Sequence, residues 1–184
     1  MVDEKYLGIL KNIPRVGWLQ RGIPDSIAES IAEHSFEVSF WSLWIIKDCE
    51  NIDKFKVLAM SIIHDFSEAV LGDIPRSALN EETLSKLKKK IELRIGKKLL
   101  DDDKLFSLFK EYIEGKTQEA LIVEIADEIS TAFQSYRYRK IGYETDDILS
   151  STINNVLQTL EKIKIDCIRI RVKEIIEKFL DKKI

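Results

Sequence analysis

Helix-breaking residues are scarce in this chain and are concentrated near its start. The 184 residues include seven glycines and three prolines, and all three prolines lie before residue 76. Both residue types interrupt helices, and the long stretches that follow carry apolar residues at helical spacing. The chain is therefore predicted to be all-α. Its length suits a single domain over residues 1–184.

Capping signals and turn residues locate the helices. Two Ser-x-x-Glu capping boxes, Ser26/Glu29 and Ser30/Glu33, both suit the start of a helix that ends near Cys49. Asp53 is the predicted N-cap of the next helix, which carries His64 near its end. Other helices are predicted over residues 3–11, 81–100, 103–114, 116–140 and 145–163, with a loop over 12–25 and a turn over 72–75.

The C-terminal segment has an apolar pattern that suits either a strand or a helix. Residues 162–172 alternate like a strand, but the apolar residues from Ile168 to Phe179 form a helical stripe, and no partner strand is visible elsewhere. We predict a helix there.

Two other side-chain clusters have a structural interpretation. The cluster Phe36, Phe40, Trp41, Leu43 and Trp44 is predicted to be core. The run Lys86–Lys90 is predicted to be a solvated face.

Composition narrows the classes of partner. The net charge of −3 does not favour binding to a nucleic acid polymer. The most apolar stretch, residues 36–46, is too short to span a bilayer, and we predict no membrane association. Cys49 and Cys167 have no CxxC spacing and are predicted to be free thiols in a reducing cytoplasm.

The two histidines point to a metal site. His34 and the pair His64-Asp65 precede a further acidic residue, Asp127. Two imidazoles and two carboxylates form a mixed nitrogen and oxygen set that suits a divalent cation. A histidine packed in the core and a chance His-Asp pair are the simpler alternatives, but the conjunction of these motifs in order favours the metal site.

Glu68 is the candidate proton-transfer group. If His64, Asp65 and Glu68 share a helix, the spacings of three and four residues bring their side chains to one face. A carboxyl group beside a metal site is suited to general acid or base catalysis. Asp73 lies one loop further on and is expected near the same site.

These residues also carry a resemblance to a known family. The segments Glu29–Ser35, His64–Pro75 and Ile125–Glu128 resemble the HD superfamily of metal-dependent phosphohydrolases, most closely the HD-domain 5′-deoxynucleotidases. The resemblance spans about residues 10–138. It implies a compact HD-type helical bundle that hydrolyses deoxyribonucleoside 5′-monophosphates to deoxynucleoside and phosphate.

The resemblance also implies roles for individual residues. One divalent ion, Mn²⁺, Co²⁺ or Mg²⁺, would be bound by the four candidate ligands. Glu68 matches the proton-transfer position, and Asp73 matches an acid that contacts the sugar 3′-hydroxyl. The metal ligands implied are His34, His64, Asp65 and Asp127.

Arg15 and Trp18 are the candidates for contact with the deoxyribose. In the family an adjacent Arg and Trp discriminate against a 2′-hydroxyl, whereas two residues separate them here. Arg15 or Arg21 could instead hold the phosphate, and Trp18 could be a loop aromatic that caps the core.

Three alternatives follow for the chain as a whole. The same site could act on a phosphodiester or a guanosine-tetraphosphate-type substrate, or the chain could be a non-catalytic binding protein stabilised by metal. A homodimer is expected, and the apolar faces after residue 116 could form its interface or belong to the core.

Overall fold

Helices joined by short turns make up the part of the chain that the structure, a computed structural model, describes: residues 3–79 and 81–181. The helices are α1 Lys5–Leu10, α2 Val16–Leu19, α3 Ile31–Ile46, α4 Lys54–Ile63, α5 Glu68–Leu71, α6 Glu82–Leu100, α7 Asp103–Glu114, α8 Gln118–Lys140, α9 Asp146–Leu160 and α10 Asp166–Asp181, with a 3₁₀ helix at Arg76–Leu79. The all-α prediction is confirmed, since within those described ranges β pairing is limited to one bridge between Pro14 and Ser30.

Side-chain caps explain where the two helices that lead to the site begin. Of the two predicted capping boxes, Ser30/Glu33 is the one that starts α3: the Ser30 backbone N–H donates to Glu33 Oε2 at 2.7 Å, and Glu33 N–H donates to Ser30 Oγ at 3.2 Å. Asp53 caps α4 by accepting from the Lys56 backbone N–H at 3.0 Å, as predicted. The predicted loop 12–25 contains the four-residue helix α2.

Helix α8 is the centre of the bundle. It packs against α3, α4, α7 and α9. Ile122, Ile125 and Ile129 on α8 are almost completely buried. Each fully buried isoleucine stabilises the fold by roughly 1.5–3 kcal/mol. This apolar packing fixes the position of the other face of α8, which carries Asp127.

Helices α6 and α7 pack closely against each other. A Cβ atom added at Gly96 would lie 2.4 Å from the Phe109 ring, so only glycine permits this approach of the two helices. Leu99, Leu100 and Ile113 are buried in the same apolar cluster. Helix α6 also contacts α5 and the 3₁₀ helix, so its side chains lie close to the segment that carries Glu68.

The C-terminal segment is helical, as predicted. Helix α10 covers Asp166–Asp181, and its apolar stripe from Ile168 to Phe179 is buried. It packs against α3 and α9. Residues 162–165 lie outside the helix, so the strand-like alternation there belongs to a turn.

The predicted aromatic core on α3 is largely wrong. Phe36 is 73% exposed, and Phe40, Leu43 and Trp44 are also exposed. Trp41 is half-buried and stacks on Phe133. The reason is that the opposite face of α3 already fills the contact with the bundle, through Ile31, Val38, Ile45 and Ile46.

The prediction of free thiols is also wrong. Cys49 and Cys167 form a disulfide, with their Cα atoms 6.0 Å apart. They are 118 residues apart in sequence, and only the packing of α10 on α3 brings them together. The cytoplasmic location inferred from free thiols loses that argument and stays a prediction.

Within residues 3–79 and 81–181, every helix is too short or too polar to cross a bilayer.

Candidate metal centre

The residues predicted to bind metal converge beside a cavity. One ligand atom from each of His34, His64 and Asp65 lies within 4.8 Å of the others. Asp65 Oδ2 is 3.1 Å from His64 Nε2 and 3.9 Å from His34 Nε2. Asp127 joins from α8, with Oδ1 3.0 Å from His34 Nε2. Residues far apart in the chain therefore present a nitrogen and oxygen donor set at one place.

Three of these donor atoms are buried and make no hydrogen bond. They are His34 Nε2, His64 Nε2 and Asp127 Oδ1. Leaving a buried polar atom unpaired costs about 1–3 kcal/mol, so such atoms usually have a partner. Close approach without hydrogen-bond geometry is what ligand atoms that share a cation would show. The donor set thus fits a divalent metal ion.

The ring of His64 is oriented for coordination. Its Nδ1 lies 2.8 Å from the Ser61 carbonyl oxygen, which can only accept a hydrogen bond. Nδ1 therefore carries the proton and Nε2 presents a lone pair to the cluster. Metal-binding histidines are commonly held by such a contact on their second nitrogen.

His34 has a different second partner. Arg15 Nη1 lies 2.8 Å from His34 Nδ1, and a guanidinium only donates, so Nδ1 accepts and the proton is on Nε2. A cation on Nε2 requires the proton on Nδ1. Arg15 and a metal ion therefore compete for the same histidine. Arg15 Nη1 also donates to Thr131 Oγ1 at 3.0 Å and lies 3.8 Å from Glu29 Oε2.

The backbone between His64 and Glu68 corrects one prediction. A single helix was expected to carry both residues, but α4 ends at Ile63 and α5 begins at Glu68. The intervening turns bond three residues apart, as in Glu68 N–H to Asp65 carbonyl at 3.0 Å. This tighter spacing aligns Asp65 with Glu68, which keeps the carboxyl group near the cluster.

Glu68 is buried, and a lysine accompanies it. Lys88 Nζ from α6 lies 3.8 Å from Glu68 Oε1 and 3.3 Å from Glu92 Oε1. Burial raises the pKa of Glu68 well above its usual range, helped by the negative charges of Asp65 and Asp73 and opposed by Lys88. The protonated carboxyl group is therefore favoured, as a proton donor requires.

The prediction that Lys86–Lys90 is a solvated face is wrong for Lys88. Its side chain is only 21% exposed. The spacing of four residues to Glu92 was the available signal, since such pairs face each other on a helix.

The two candidate ligand carboxylates, Asp65 and Asp127, differ from Glu68. Burial opposes ionisation of Asp65 and Asp127, yet the pKa of each lies below its usual range. For Asp65 the main cause is His64, and for Asp127 the causes are His34 and Arg15. Two carboxylates with lowered pKa beside one with a raised pKa is a division of roles that suits metal binding and proton transfer.

Asp73 lies at the edge of the cavity. Gly72 ends α5 with a φ of 76°, a conformation that favours glycine, and this turns the chain toward α2. Asp73 Oδ2 accepts a hydrogen bond from the Val16 backbone N–H. The contact ties the 72–75 turn to the segment that carries Arg15 and Trp18.

Trp18 is mainly a core residue. It is almost fully buried, its ring meets Tyr138 edge-on with centroids 5.1 Å apart, and its Nε1–H donates to Glu29 Oε2 at 3.1 Å. This matches the alternative in which a loop aromatic caps the core, although the residue also lines the cavity. Arg21 pairs with Asp147 at the rim.

The cavity above the cluster has a volume of about 470 Å³. The predicted site residues in its lining are Arg15, Trp18, His64, Asp65, Glu68, Asp73 and Asp127. His34 is completely buried. Side chains that the sequence prediction did not single out also line it, among them Arg76, Lys88 and Tyr112.

Arg76, on the 3₁₀ helix, also lines the cavity and forms an ion pair with α8. Arg76 Nη2 lies 2.5 Å from Oε1 of the buried Glu128, the residue after Asp127. Burial raises the pKa of Glu128 to about 7, with a contribution from Asp127 and against the charge of Arg76. No local pattern links these two residues, which explains why sequence alone did not find the pair.

The chain is similar in sequence to known proteins. The HD domain family matches residues 7–165. A Dictyostelium discoideum protein named 5′-deoxynucleotidase HDDC2 is 29% identical over 152 residues, which cover 78% of this chain and 79% of that protein. A Schizosaccharomyces pombe protein named 5′-deoxynucleotidase hdd1 is 28% identical over 177 residues, covering 85% and 87%.

A solved structure extends the match to the fold. A conserved hypothetical protein from Pyrococcus furiosus superposes with a TM-score of 0.76 at 35% identity, covering 94% of this chain and 96% of that one. The similarity therefore extends beyond the motif residues to nearly the whole helical bundle.

Proposed function

Because this chain belongs to the HD domain family, we propose that it is a metal-dependent 5′-deoxynucleotidase. It hydrolyses deoxyribonucleoside 5′-monophosphates to a deoxynucleoside and phosphate. The observation that carries the proposal is the set of buried donor atoms without hydrogen bonds on His34, His64 and Asp127, beneath an open cavity. The names of the two relatives support the substrate class.

One divalent ion, Mn²⁺, Co²⁺ or Mg²⁺, would be held by His34, His64, Asp65 and Asp127. When bound, it would polarise a phosphoryl oxygen and make a water molecule more acidic. The His64–Ser61 contact orients one ligand in advance. The negative charges of Asp65 and Asp127 would balance the charge of the ion.

Glu68 would transfer the proton. Its buried carboxyl group favours the protonated form, so it can donate to the 5′-oxygen as the phosphoester bond breaks. The deoxynucleoside then leaves as a neutral alcohol. Lys88, 3.8 Å away, would hold the resulting carboxylate in position.

The remaining residues would orient the nucleoside. Asp73 would accept a hydrogen bond from the sugar 3′-hydroxyl, while Val16 N–H holds its carboxylate. Trp18 and Arg15 border the same cavity and would pack near the sugar. A volume of about 470 Å³ lies within the range for small-molecule sites, roughly 300–1,000 Å³, and suits a single nucleotide.

The chain would act as a homodimer. Of the apolar faces after residue 116, that of α8 is used within the core. The exposed side of α3, with Phe36, Phe40 and Trp44, is the apolar surface that supports the proposal. Light scattering of Phe36→Ser and Trp44→Ser proteins tests it, since an interface there would break into monomers.

Phosphate release from a nucleotide panel tests the activity. The panel contains deoxy and ribo 5′-monophosphates, 3′-monophosphates, 2′,3′-cyclic nucleotides and guanosine tetraphosphate, each with Mn²⁺, Co²⁺, Mg²⁺ or chelator. We expect release from deoxy 5′-monophosphates that chelator abolishes. Equal release from ribonucleotides would remove the sugar discrimination assigned to Arg15 and Trp18.

Two other results would contradict the proposal. Activity confined to cyclic nucleotides or guanosine tetraphosphate would reassign the substrate. If no compound is hydrolysed with any metal while metal still raises the melting temperature, the chain would be a non-catalytic binding protein.

A further inference from the structure

The cavity is rich in acidic groups, which raises the question of how it receives a phosphate. Among the described residues, its lining carries seven carboxyl groups and five basic side chains. A phosphate monoester is also anionic. A metal ion offsets part of the repulsion, but a phosphate site is expected to add a cation with unused hydrogen-bond donors. The basic lining residues are Arg15, Arg21, Arg76, Lys88 and Lys89.

Arg15 and Lys88 are already committed to protein partners. Besides the His34 contact that a metal ion would replace, Arg15 donates to Thr131 and lies near Glu29 and Asp127, and its side chain is only 19% exposed. Lys88 is held between Glu68 and Glu92. Both side chains line the cavity, but each charge already lies beside two carboxylates.

Arg76 differs in exposure and in partner. Its side chain is 58% exposed, although its ion-pair partner Glu128 is almost fully buried. A guanidinium carries five N–H donors in one plane, so the contact through Nη2 leaves others directed elsewhere. The guanidinium is thus anchored in the protein through Nη2, while the exposed part of the side chain borders the cavity.

The anchor also sets the position of Arg76 relative to the cluster. Glu128 follows Asp127 on α8, and the charge of Asp127 acts on the Arg76 guanidinium. The segment before and after Arg76 is fixed at two further points: Asp73 accepts from Val16 N–H, and Ser77 Oγ donates to Gln20 Oε1 at 3.2 Å. Arg76 therefore lies beside the candidate metal centre on a tethered segment.

We propose that Arg76 binds the phosphate group of the substrate and that Glu128 orients its guanidinium for this contact. The assignment rests on the proposed function for the identity of the substrate. The chemistry is the paired N–H donation by which arginine recognises phosphate. Lysine cannot reproduce this geometry.

Steady-state kinetics on the Mn²⁺-loaded protein test the assignment. Arg76→Ala should raise the KM for a deoxynucleoside 5′-monophosphate about 10- to 100-fold, the loss expected from charged hydrogen bonds, with kcat within about threefold of the unsubstituted protein. The inhibition constant of inorganic phosphate should rise in parallel. Arg76→Lys should give an intermediate KM. Lys89→Ala, which removes another basic group from the lining, is the matched control and should change KM less than about threefold.

Glu128→Gln separates phosphate binding from a purely structural ion pair. Both Arg76→Ala and Glu128→Gln break the pair, but only Arg76→Ala removes the guanidinium from the cavity. KM should therefore rise less in Glu128→Gln, which loses only the orienting carboxylate, than in Arg76→Ala, which also loses the N–H donors. An equal rise in both variants, or no rise in Arg76→Ala, would overturn the assignment.

Binding of inorganic phosphate keeps this test independent of turnover. If the unsubstituted protein hydrolyses no nucleotide, the proposed function fails, and calorimetric titration of phosphate into the Mn²⁺-loaded protein still examines Arg76. Weaker binding in Arg76→Ala and unchanged binding in Lys89→Ala would support a phosphate site. Equal binding in both variants would overturn it. Circular dichroism and melting temperatures confirm that each variant is folded.

Discussion

The two faces of α8 differ in what they contribute to the molecule. One face presents Ile122, Ile125 and Ile129 to a closed apolar core. The other presents Asp127 and Glu128, each with a buried oxygen that has no hydrogen bond. The first face lowers the free energy of the folded state, and the second raises it.

Magnitudes show why the helix tolerates this difference. A buried isoleucine contributes roughly 1.5–3 kcal/mol. An unpaired buried polar atom costs about 1–3 kcal/mol. The apolar face is large enough to hold the polar face in an arrangement that would not be stable alone. Features that weaken a fold locally are expected where a site binds a ligand.

The largest expected effect is on the polar face. Asp65→Asn should abolish metal-dependent phosphate release and the rise in melting temperature with Mn²⁺, because the cluster loses an ionised ligand. Calorimetry and phosphate release with and without chelator measure both. Asp147→Asn, a change at the exposed rim, should leave both intact. If Asp65→Asn kept the metal-induced shift, Asp65 would not be a ligand.

Glu68→Gln should separate catalysis from metal binding. Loss of the proton donor is expected to lower kcat by about 10²–10⁴-fold, while the amide keeps the size of the side chain. The melting-temperature shift with Mn²⁺ should remain, since Glu68 is not among the candidate ligands. Turnover at the unsubstituted rate would remove Glu68 from the mechanism.

Removing the disulfide tests whether the stability of the apolar core can be changed without affecting the candidate metal centre. Closing a loop of about 100 residues is expected to stabilise a fold by roughly 4–5 kcal/mol through the unfolded state. Cys49→Ser, or a reductant, should therefore lower the free energy of unfolding in denaturant titrations. Specific activity well below the melting temperature should not change, because the link lies away from the cluster. A parallel loss of activity would show that the two sides are coupled.

The smallest effect is a pH dependence centred on Glu128. Its pKa of about 7 in the fold exceeds the ordinary 4.5, so the folded state binds the proton more tightly. Its contribution to stability is complete below about pH 4.5 and is lost as the pH rises toward 7. Glu128→Gln should gain roughly 1–3 kcal/mol relative to the unsubstituted protein across this window.

Urea titrations with chelator at several pH values measure this difference. A constant difference between the two proteins would mean that Glu128 does not take up a proton on folding. Asn155 donates to Glu128 Oε1 at 3.2 Å, and a glutamine oxygen can accept the same bond.

Local signals predicted the helix starts and the metal cluster. Ser30 and Asp53 cap the next turn of their own chain, so the residues involved are visible together in the sequence. The motif around His64 and Asp65 is similarly compact. The assignment of residues 1–184 to one domain stays a prediction.

Long-range pairs could not be predicted from local patterns. Arg76 meets Glu128, and Cys49 meets Cys167, only after several helices have packed. The aromatic side chains of α3 illustrate the same limit. Helical spacing identified an apolar face, but burial depended on which side the rest of the bundle occupied.

The disulfide also gives the polypeptide a ring topology. The segment from Cys49 to Cys167 is a covalently closed ring that contains His64, Asp65 and Asp127. His34 lies outside the ring, on the part of the chain before Cys49. One proteolytic cut within the ring would leave both pieces covalently joined until reduction. A cut before Cys49 would instead leave an N-terminal fragment that only non-covalent packing holds in place. Backbone scission therefore has different consequences for the candidate ligand on α3 and for the other three candidates.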